Sequence, residues 1–152
     1  MIRTDETVAE IRHWLAASPE RVFAAFASAH QVSRWLSPAP EIALDVLAFD
    51  FREGGAFRYA YRVPDHGTMI VNGAYLAIEP PSRLVFTWNI EPPDEHAGLH
   101  SEVTVTISAE RGGSELHIRH ERLSLPGSCQ RHAEGWRGAL GRLSALLDRP
   151  MP

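Results

Sequence analysis

The stretch CQRHAEGWRGALGRLSALL, Cys129 to Leu147, decides the fold, because its apolar residues recur at intervals of three and four. This spacing is typical of a helix with one buried face. That face contains Cys129, His132, Trp136, Leu140, Leu143 and Leu147, and the opposite arc contains Arg131, Glu134, Arg137, Gly138 and Arg142. A long helix of this kind has to lay its apolar side on another hydrophobic surface.

The preceding residues predict that surface as an antiparallel sheet. Phe57, Tyr59 and Tyr61 alternate with small or basic residues, which indicates a strand with one aromatic face. Similar patterns predict strands over residues 8–16, 43–51, 68–79, 84–90, 102–107 and 115–121. Both faces of the strand over 68–79 are apolar, so its inward set stays open. Consecutive strands joined by tight turns favour an α+β domain rather than a doubly wound one.

Two short helices are predicted between the first strand and the rest of the sheet. Ser18 and Pro19 suit the N-cap and first position of one helix. A second helical turn, His30 to Leu36, ends before Pro38. The order is therefore a strand, two short helices, about six strands in a meander and one long helix. A single helix across a curved sheet leaves a hollow in which a ligand would lie.

Composition narrows the function classes. The chain has 152 residues, 44% of them hydrophobic, which suits one domain over residues 1–152. A net charge of -4 argues against nucleic acid as a partner. The sequence shows neither a signal peptide nor an apolar run long enough for a membrane span, so we expect a cytoplasmic protein without a membrane partner. No glycine-rich loop opens a helix, and no cofactor is expected.

Large side chains on the predicted inner faces are the candidate ligand-binding residues. Aromatic groups with a polar atom often line apolar pockets, although the same residues also suit a closed core. The candidates are Trp35, Phe57, Tyr59, Tyr61, Trp88, His120, His132, Trp136 and Leu140. Trp35 is expected near the mouth of the hollow, beside the proline break. The expected partner is a small hydrophobic molecule.

Three polar residues of the same region allow a catalytic interpretation. Ser128 suits the N-cap of the last helix, which places Cys129 in the first turn, where the helix dipole favours a thiolate. Cys129, His132 and His120 then converge as a nucleophile and its bases. As metal ligands they number at most three at unusual spacing, so no metal is expected. A row of glycines, Gly135, Gly138 and Gly141, indicates either a homodimer contact or no role at all.

Several segments together resemble the SRPBCC superfamily, also called START or Bet v 1-like, and most closely its AHSA1-like branch, named after the activator of the Hsp90 ATPase. The segments are SPERVFAAF (18–26), RWLSP (34–38), GAFRY (55–59), IEPPSRLVFTW (78–88) and Gly135-Trp136. The resemblance runs from about Thr7 to Leu147. It implies the helix-grip fold, a curved antiparallel sheet of about six to seven strands wrapped around a long C-terminal helix, with two short helices after the first strand.

Three functions follow as hypotheses. The first is binding of a small hydrophobic or amphipathic ligand between sheet and helix, without catalysis. The second is a cyclase- or hydrolase-type enzyme in which His120 or His132 acts as general acid or base and Tyr59 or Tyr61 orients a carbonyl. The third, implied by the name of the family, is an interaction domain for an Hsp90-type chaperone. Fold analogy does not choose among them.

Overall fold

The computed structural model describes residues 2–4 and 7–148, which form one eight-stranded antiparallel sheet and three helices. The strands are β1 Ile2–Thr4, β2 Ala9–Leu15, β3 Ala43–Phe49, β4 Ala56–Val63, β5 Gly67–Glu79, β6 Arg83–Ile90, β7 His100–Glu110 and β8 Gly113–Glu121. The helices are α1 Pro19–Ala24, α2 Ala29–Trp35 and α3 Ser128–Leu147. The predicted α+β class, the two short helices and the long C-terminal helix are confirmed.

The strand order is β1-β2-β8-β7-β6-β5-β4-β3. Strands β3 to β8 form a meander, and the α1–α2 segment carries the chain from β2 to the far edge of the sheet. The predicted six to seven strands correspond to β2–β8; the short β1 is the addition, paired with β2. This is the helix-grip arrangement, in which the curved sheet holds the C-terminal helix.

Serine caps set the two short helices. The Oγ atom of Ser18 accepts a hydrogen bond from the backbone N–H of Arg21, and that of Ser28 accepts one from Gln31, each at 3.2 Å. These bonds satisfy backbone donors that a helix start leaves without partners. The α2 helix then ends at Trp35, just before the proline-containing segment that leads to β3.

The start of α3 differs from the prediction. Gly127, in the left-handed conformation with φ of 79°, is the N-cap, and Ser128 is the first helical residue. Ser128 is fully buried, and its hydroxyl lies 2.8 Å from the Leu123 carbonyl oxygen and 2.6 Å from that of Leu125. The side chain therefore fastens the preceding loop instead of capping the helix. Cys129 is half-buried, with its sulfur 3.9 Å from the Leu123 oxygen.

The aromatic face of β4 points into the core, as predicted. Phe57, Tyr59 and Tyr61 are all buried, and the Phe57 ring contacts Tyr75 of β5 at a centroid distance of 5.4 Å. Val71 and Tyr75 thus define the inward face of β5, which the sequence left open. Side chains from four neighbouring strands meet here because residues opposite one another in a sheet share a face.

The prediction that Gly138 lies on the outer arc of α3 is corrected by the structure. A Cβ atom on Gly138 would lie 2.0 Å from the Pro38 carbonyl oxygen, whereas one on Gly135 or Gly141 would meet nothing within 4 Å. The helix therefore approaches the backbone of the α2–β3 connection within this chain. This contact accounts for Gly138 without a second subunit; the possible homodimer stays a prediction.

Strand β3 forms one edge of the sheet and is irregular there. Val46 pairs with Tyr59 and Ala48 with Arg58, so Leu47 is an extra residue in a β-bulge. Its side chain is 47% exposed. A bulge bends a strand and interrupts its ladder of hydrogen bonds.

Candidate functional site

A pocket of about 290 Å³ lies between the first half of α3, the connection after α2 and the ends of β4, β5 and β6. Most of its lining is apolar or aromatic, and the polar side chains at it are few. The lining residues are Leu36, Ser37, Pro38, Tyr61, Met69, Trp88, Ile90, Arg131, His132, Glu134, Gly135, Trp136 and Ala139.

Four of the nine predicted site residues line this pocket: Tyr61, Trp88, His132 and Trp136. They come from two strands and one helix, so the fold gathers residues that are far apart in the chain. Trp136 faces the sheet as predicted, with its ring centroid 6.0 Å from that of Trp88.

The other five predicted residues lie elsewhere. Phe57 and Tyr59 border a separate void of only about 10 Å³. Trp35 and Leu140 are fully buried and border neither space. Trp35, expected near the mouth, is instead fixed in the core by donating its indole N–H to the Ala25 carbonyl oxygen at 2.9 Å.

His120, the ninth residue, belongs to a buried chain of hydrogen bonds behind the pocket. The indole N–H of Trp136 donates to its Nδ1 at 3.0 Å. Its Nε2 lies 2.8 Å from Ser101 Oγ, and the Ser101 hydroxyl donates to the Trp88 carbonyl oxygen at 2.6 Å. Because Nδ1 accepts and the Ser101 proton is committed, the imidazole is neutral with its proton on Nε2. Both ring nitrogens are therefore occupied within the protein.

Burial keeps His120 neutral. The side chain has no exposed surface, and desolvation, followed by repulsion from His132, holds its pKa well below the ordinary value. A proton on Nδ1 would also point two donors at each other, Nδ1–H and the indole N–H of Trp136. The geometry and the electrostatics both assign this histidine to joining α3, β8 and β7.

His132 is different, because one of its nitrogens is open. Its Nδ1 lies 2.8 Å from the Ser128 carbonyl oxygen, which only accepts, so Nδ1 carries the proton. Desolvation, the largest effect, lowers its pKa to about 4 and keeps the ring neutral at pH 7. Nε2 has no hydrogen-bond partner among the described residues, and it is not one of their polar atoms that are both unpartnered and inaccessible to solvent. Since His132 borders the pocket, this acceptor opens onto it.

Trp88 supplies the complementary group. Its indole N–H donates to no described residue, and the indole nitrogen is likewise not closed off from solvent. By contrast, the neighbouring Tyr61 hydroxyl donates to the Leu36 carbonyl oxygen at 2.9 Å. Burial raises the pKa of Tyr61 far above its ordinary value, so this hydroxyl stays neutral. At the pocket, the Trp88 indole thus has a donor, and the His132 ring an acceptor, without a hydrogen-bond partner among the described residues.

The cation of the pocket is already paired. Arg131 binds Asp94 through two hydrogen bonds of 2.8 and 2.9 Å and also lies 2.7 Å from the Met69 sulfur. Hydrogen bonds from Arg131 are the main cause of the lowered pKa of Asp94. The pair joins α3 to the loop after β6. The charge of Arg131 is thereby balanced by that of Asp94.

Sequence reasoning missed nine of the thirteen lining residues. Met69, Ile90 and Ala139 are ordinary apolar residues with nothing in their local pattern to set them apart. Arg131 was assigned to the solvent-facing arc of α3, because a helical wheel gives the direction of a side chain but does not show the loop beside it. Gly135 was part of the unexplained glycine row. It lines the pocket, and a side chain at this position would occupy part of the pocket volume.

No group of three or more histidine, cysteine or acidic side chains that would hold a metal ion occurs in the described part of the chain. Likewise, none of the described helices is both long enough and apolar enough to cross a membrane.

This architecture, with a pocket between the last helix and the curved sheet, is that of the helix-grip proteins. The chain belongs to the AHSA1-like family: the family model described as "Activator of Hsp90 ATPase homolog 1-like protein" matches residues 16–148. Comparison with curated proteins found no significant match.

Solved structures share the fold over nearly the whole chain. Protein CV1439 from Chromobacterium violaceum is 25% identical, with a TM-score of 0.81 over 94% of this chain and 99% of its own. Protein Ms6760 from Mycobacterium smegmatis is 20% identical, with a TM-score of 0.84 over 100% and 98%. The AHSA1 protein SPO3351 from Silicibacter pomeroyi is 23% identical, with a TM-score of 0.78 over 92% and 96%.

Proposed function

We propose that this protein binds a small hydrophobic or amphipathic molecule in the pocket between α3 and strands β4–β6. The observation that carries the proposal is a mainly apolar space of about 290 Å³ with an unpartnered donor and acceptor on its wall. Small-molecule sites have this character, a hydrophobic lining with a few polar groups that orient the ligand. The volume is at the small end of the usual range of roughly 300–1,000 Å³, which favours a ligand of one or two rings.

Two glycines of α3 provide a matched test. Gly135→Leu places a side chain at the pocket, where an added Cβ meets no atom within 4 Å. Gly141→Leu makes the same change at an exposed position that does not border the pocket. Both variants gain the same helix propensity, roughly 1 kcal/mol, so both are expected to fold.

The assay is a thermal-shift screen of aromatic compounds, polyketides and lipids, followed by native mass spectrometry of any hit. We expect a ligand that raises the melting temperature of the wild type and of Gly141→Leu but not that of Gly135→Leu. Equal shifts in all three proteins would place binding elsewhere. A screen in which no compound stabilises the wild type would contradict the proposal.

For the enzymatic alternative, one of the predicted catalytic residues remains a candidate, His132. His120 has no nitrogen left for a substrate, and the Tyr61 hydroxyl is committed to a backbone carbonyl. His132 has a free Nε2, but with a pKa of about 4 it is a weak base at pH 7. This supports binding over acid–base catalysis. Turnover of a bound compound that is lost in His132→Asn would favour the enzyme instead.

A chaperone interaction is the second alternative, and the name of the family is its only support. Capture of an Hsp90-type chaperone by the purified protein would support this function, and absence of capture would remove it. A cytoplasmic location is part of the proposal.

A further inference from the structure

We propose that the ligand carries a neutral hydroxyl group, an alcohol or a phenol, which donates to Nε2 of His132 and accepts from the indole N–H of Trp88. This inference rests on the proposed function and adds the chemical class of the ligand. A hydroxyl is both donor and acceptor, so one such group satisfies both open atoms of the pocket wall.

The acceptor is fixed by the helix itself. The Ser128 carbonyl oxygen, one turn earlier in α3, accepts a hydrogen bond from Nδ1–H of His132 at 2.8 Å. Nε2, at the far side of the ring, then presents a lone pair. A ligand with only acceptor atoms would place lone pair against lone pair, and His132 would keep a desolvated atom without a partner. Such a loss is larger than the gain from an average hydrogen bond.

The donor comes from the sheet side of the pocket. Trp88 on β6 is buried apart from a small fraction of its surface, and its ring packs edge-on to His120 at a centroid distance of 6.3 Å. The Trp136 indole at the same pocket already donates to His120. Trp88 is therefore the tryptophan at the pocket whose N–H awaits an acceptor.

The charges disfavour an acid as the ligand. Arg131 is held by both oxygens of Asp94, and Glu134 adds a negative charge at the rim. A carboxylate would have to compete with Asp94 for the guanidinium, or enter an apolar pocket with no cation to pair with. Burying an unpaired charge is far costlier than burying a hydroxyl.

Three naphthalene probes separate these possibilities: 2-naphthol, 2-fluoronaphthalene of nearly the same shape, and 2-naphthoate. Binding is measured by calorimetry at pH 7, and its place by the ¹⁵N–¹H signals of the indole groups, with Trp88→Phe assigning one signal. His132→Asn keeps a donor for the Ser128 oxygen but removes the acceptor at Nε2. His132→Gln restores an acceptor near the Nε2 position. Thermal unfolding of each variant confirms that it is folded.

We expect 2-naphthol to bind best and to move the Trp88 indole signal. The preference for 2-naphthol over 2-fluoronaphthalene should be about tenfold larger in the wild type than in His132→Asn, the equivalent of one well-made hydrogen bond. His132→Gln should regain most of that preference, which a merely structural role of His132 would not produce.

Other results are equally informative. If 2-naphthol and 2-fluoronaphthalene bind with an unchanged ratio in His132→Asn, or 2-naphthoate binds tightest, the hydroxyl assignment is overturned while the binding pocket stands. If no probe moves the indole signals of Trp88 and Trp136, the proposed pocket fails as well.

Discussion

Replacing Gly138 by alanine should destabilise this protein, although the same replacement at Gly141 should stabilise it. Both positions lie in the middle of α3, where alanine is favoured over glycine by roughly 1 kcal/mol. The surroundings differ. The new Cβ at Gly138 would lie 2.0 Å from the oxygen and 2.8 Å from the carbon of the Pro38 carbonyl, and the one at Gly141 would meet open space.

The size of the effect follows from that contact. A Cβ–oxygen distance of 2.0 Å has to increase by more than 1 Å, since real contacts below 3.0 Å essentially do not occur. The opposing atoms are backbone, so α3 and the α2–β3 connection must separate. Overpacking of this kind costs roughly 1–3 kcal/mol. Because the propensity gain is common to both variants, the difference between them isolates this cost.

Calorimetric unfolding of the two variants and the wild type measures the difference directly. For a chain of this length 1 kcal/mol corresponds to about 2–4 °C in melting temperature. We expect Gly141→Ala to rise by that amount and Gly138→Ala to melt roughly 2–12 °C below Gly141→Ala. Equal melting temperatures would show that the helix does not approach Pro38 as described. Gly135→Ala, also in open space, should behave like Gly141→Ala.

Three further predictions concern the site. The folded-state pKa of His132, about 4, lies below its ordinary value of 6.5, so the unfolded chain binds the proton more readily between these values. The folded state therefore has its full stability above pH 6.5 and loses about 3 kcal/mol as the pH falls to 4. Urea unfolding should show a flatter pH dependence in His132→Asn. Ser101→Ala leaves a buried imidazole N–H without an acceptor and should cost roughly 1–3 kcal/mol, whereas Ser108→Ala, exposed on the same strand, should leave urea unfolding unchanged. Asp94→Asn removes the charge that pairs with Arg131 and should strengthen 2-naphthoate binding by calorimetry about three- to tenfold; unchanged binding would mean that the guanidinium does not face the pocket.

The sequence predicted which faces are buried far better than what those faces touch. The alternation of Phe57, Tyr59 and Tyr61 determined the inner face of β4, because a strand offers only two sides. It could not show that Phe57 and Tyr59 lie deep in the core while Tyr61 reaches the pocket. That difference depends on segments far away in the chain, such as Leu36 after α2, whose carbonyl oxygen accepts from the Tyr61 hydroxyl across 25 residues.

Polar partners were the least predictable part of the site. His120 was correctly placed on an apolar face, but its state is set by Ser101 and Trp136, which come from another strand and from the last helix. Ser128 looked like a helix cap because serine is common there, yet Gly127 adopts the left-handed backbone that allows the chain to turn. Such choices depend on distances between elements, which periodicity does not contain.

The bulge at Leu47 affects whether copies of this protein associate through the edges of their sheets at high concentration. An edge strand with regular spacing offers a row of free N–H and C=O groups to any neighbouring chain, and β3 is such an edge. The extra residue puts successive backbone groups out of step after Val46. An incoming strand would therefore match β3 over only a few residues, which disfavours growth of the sheet into a fibril at this edge.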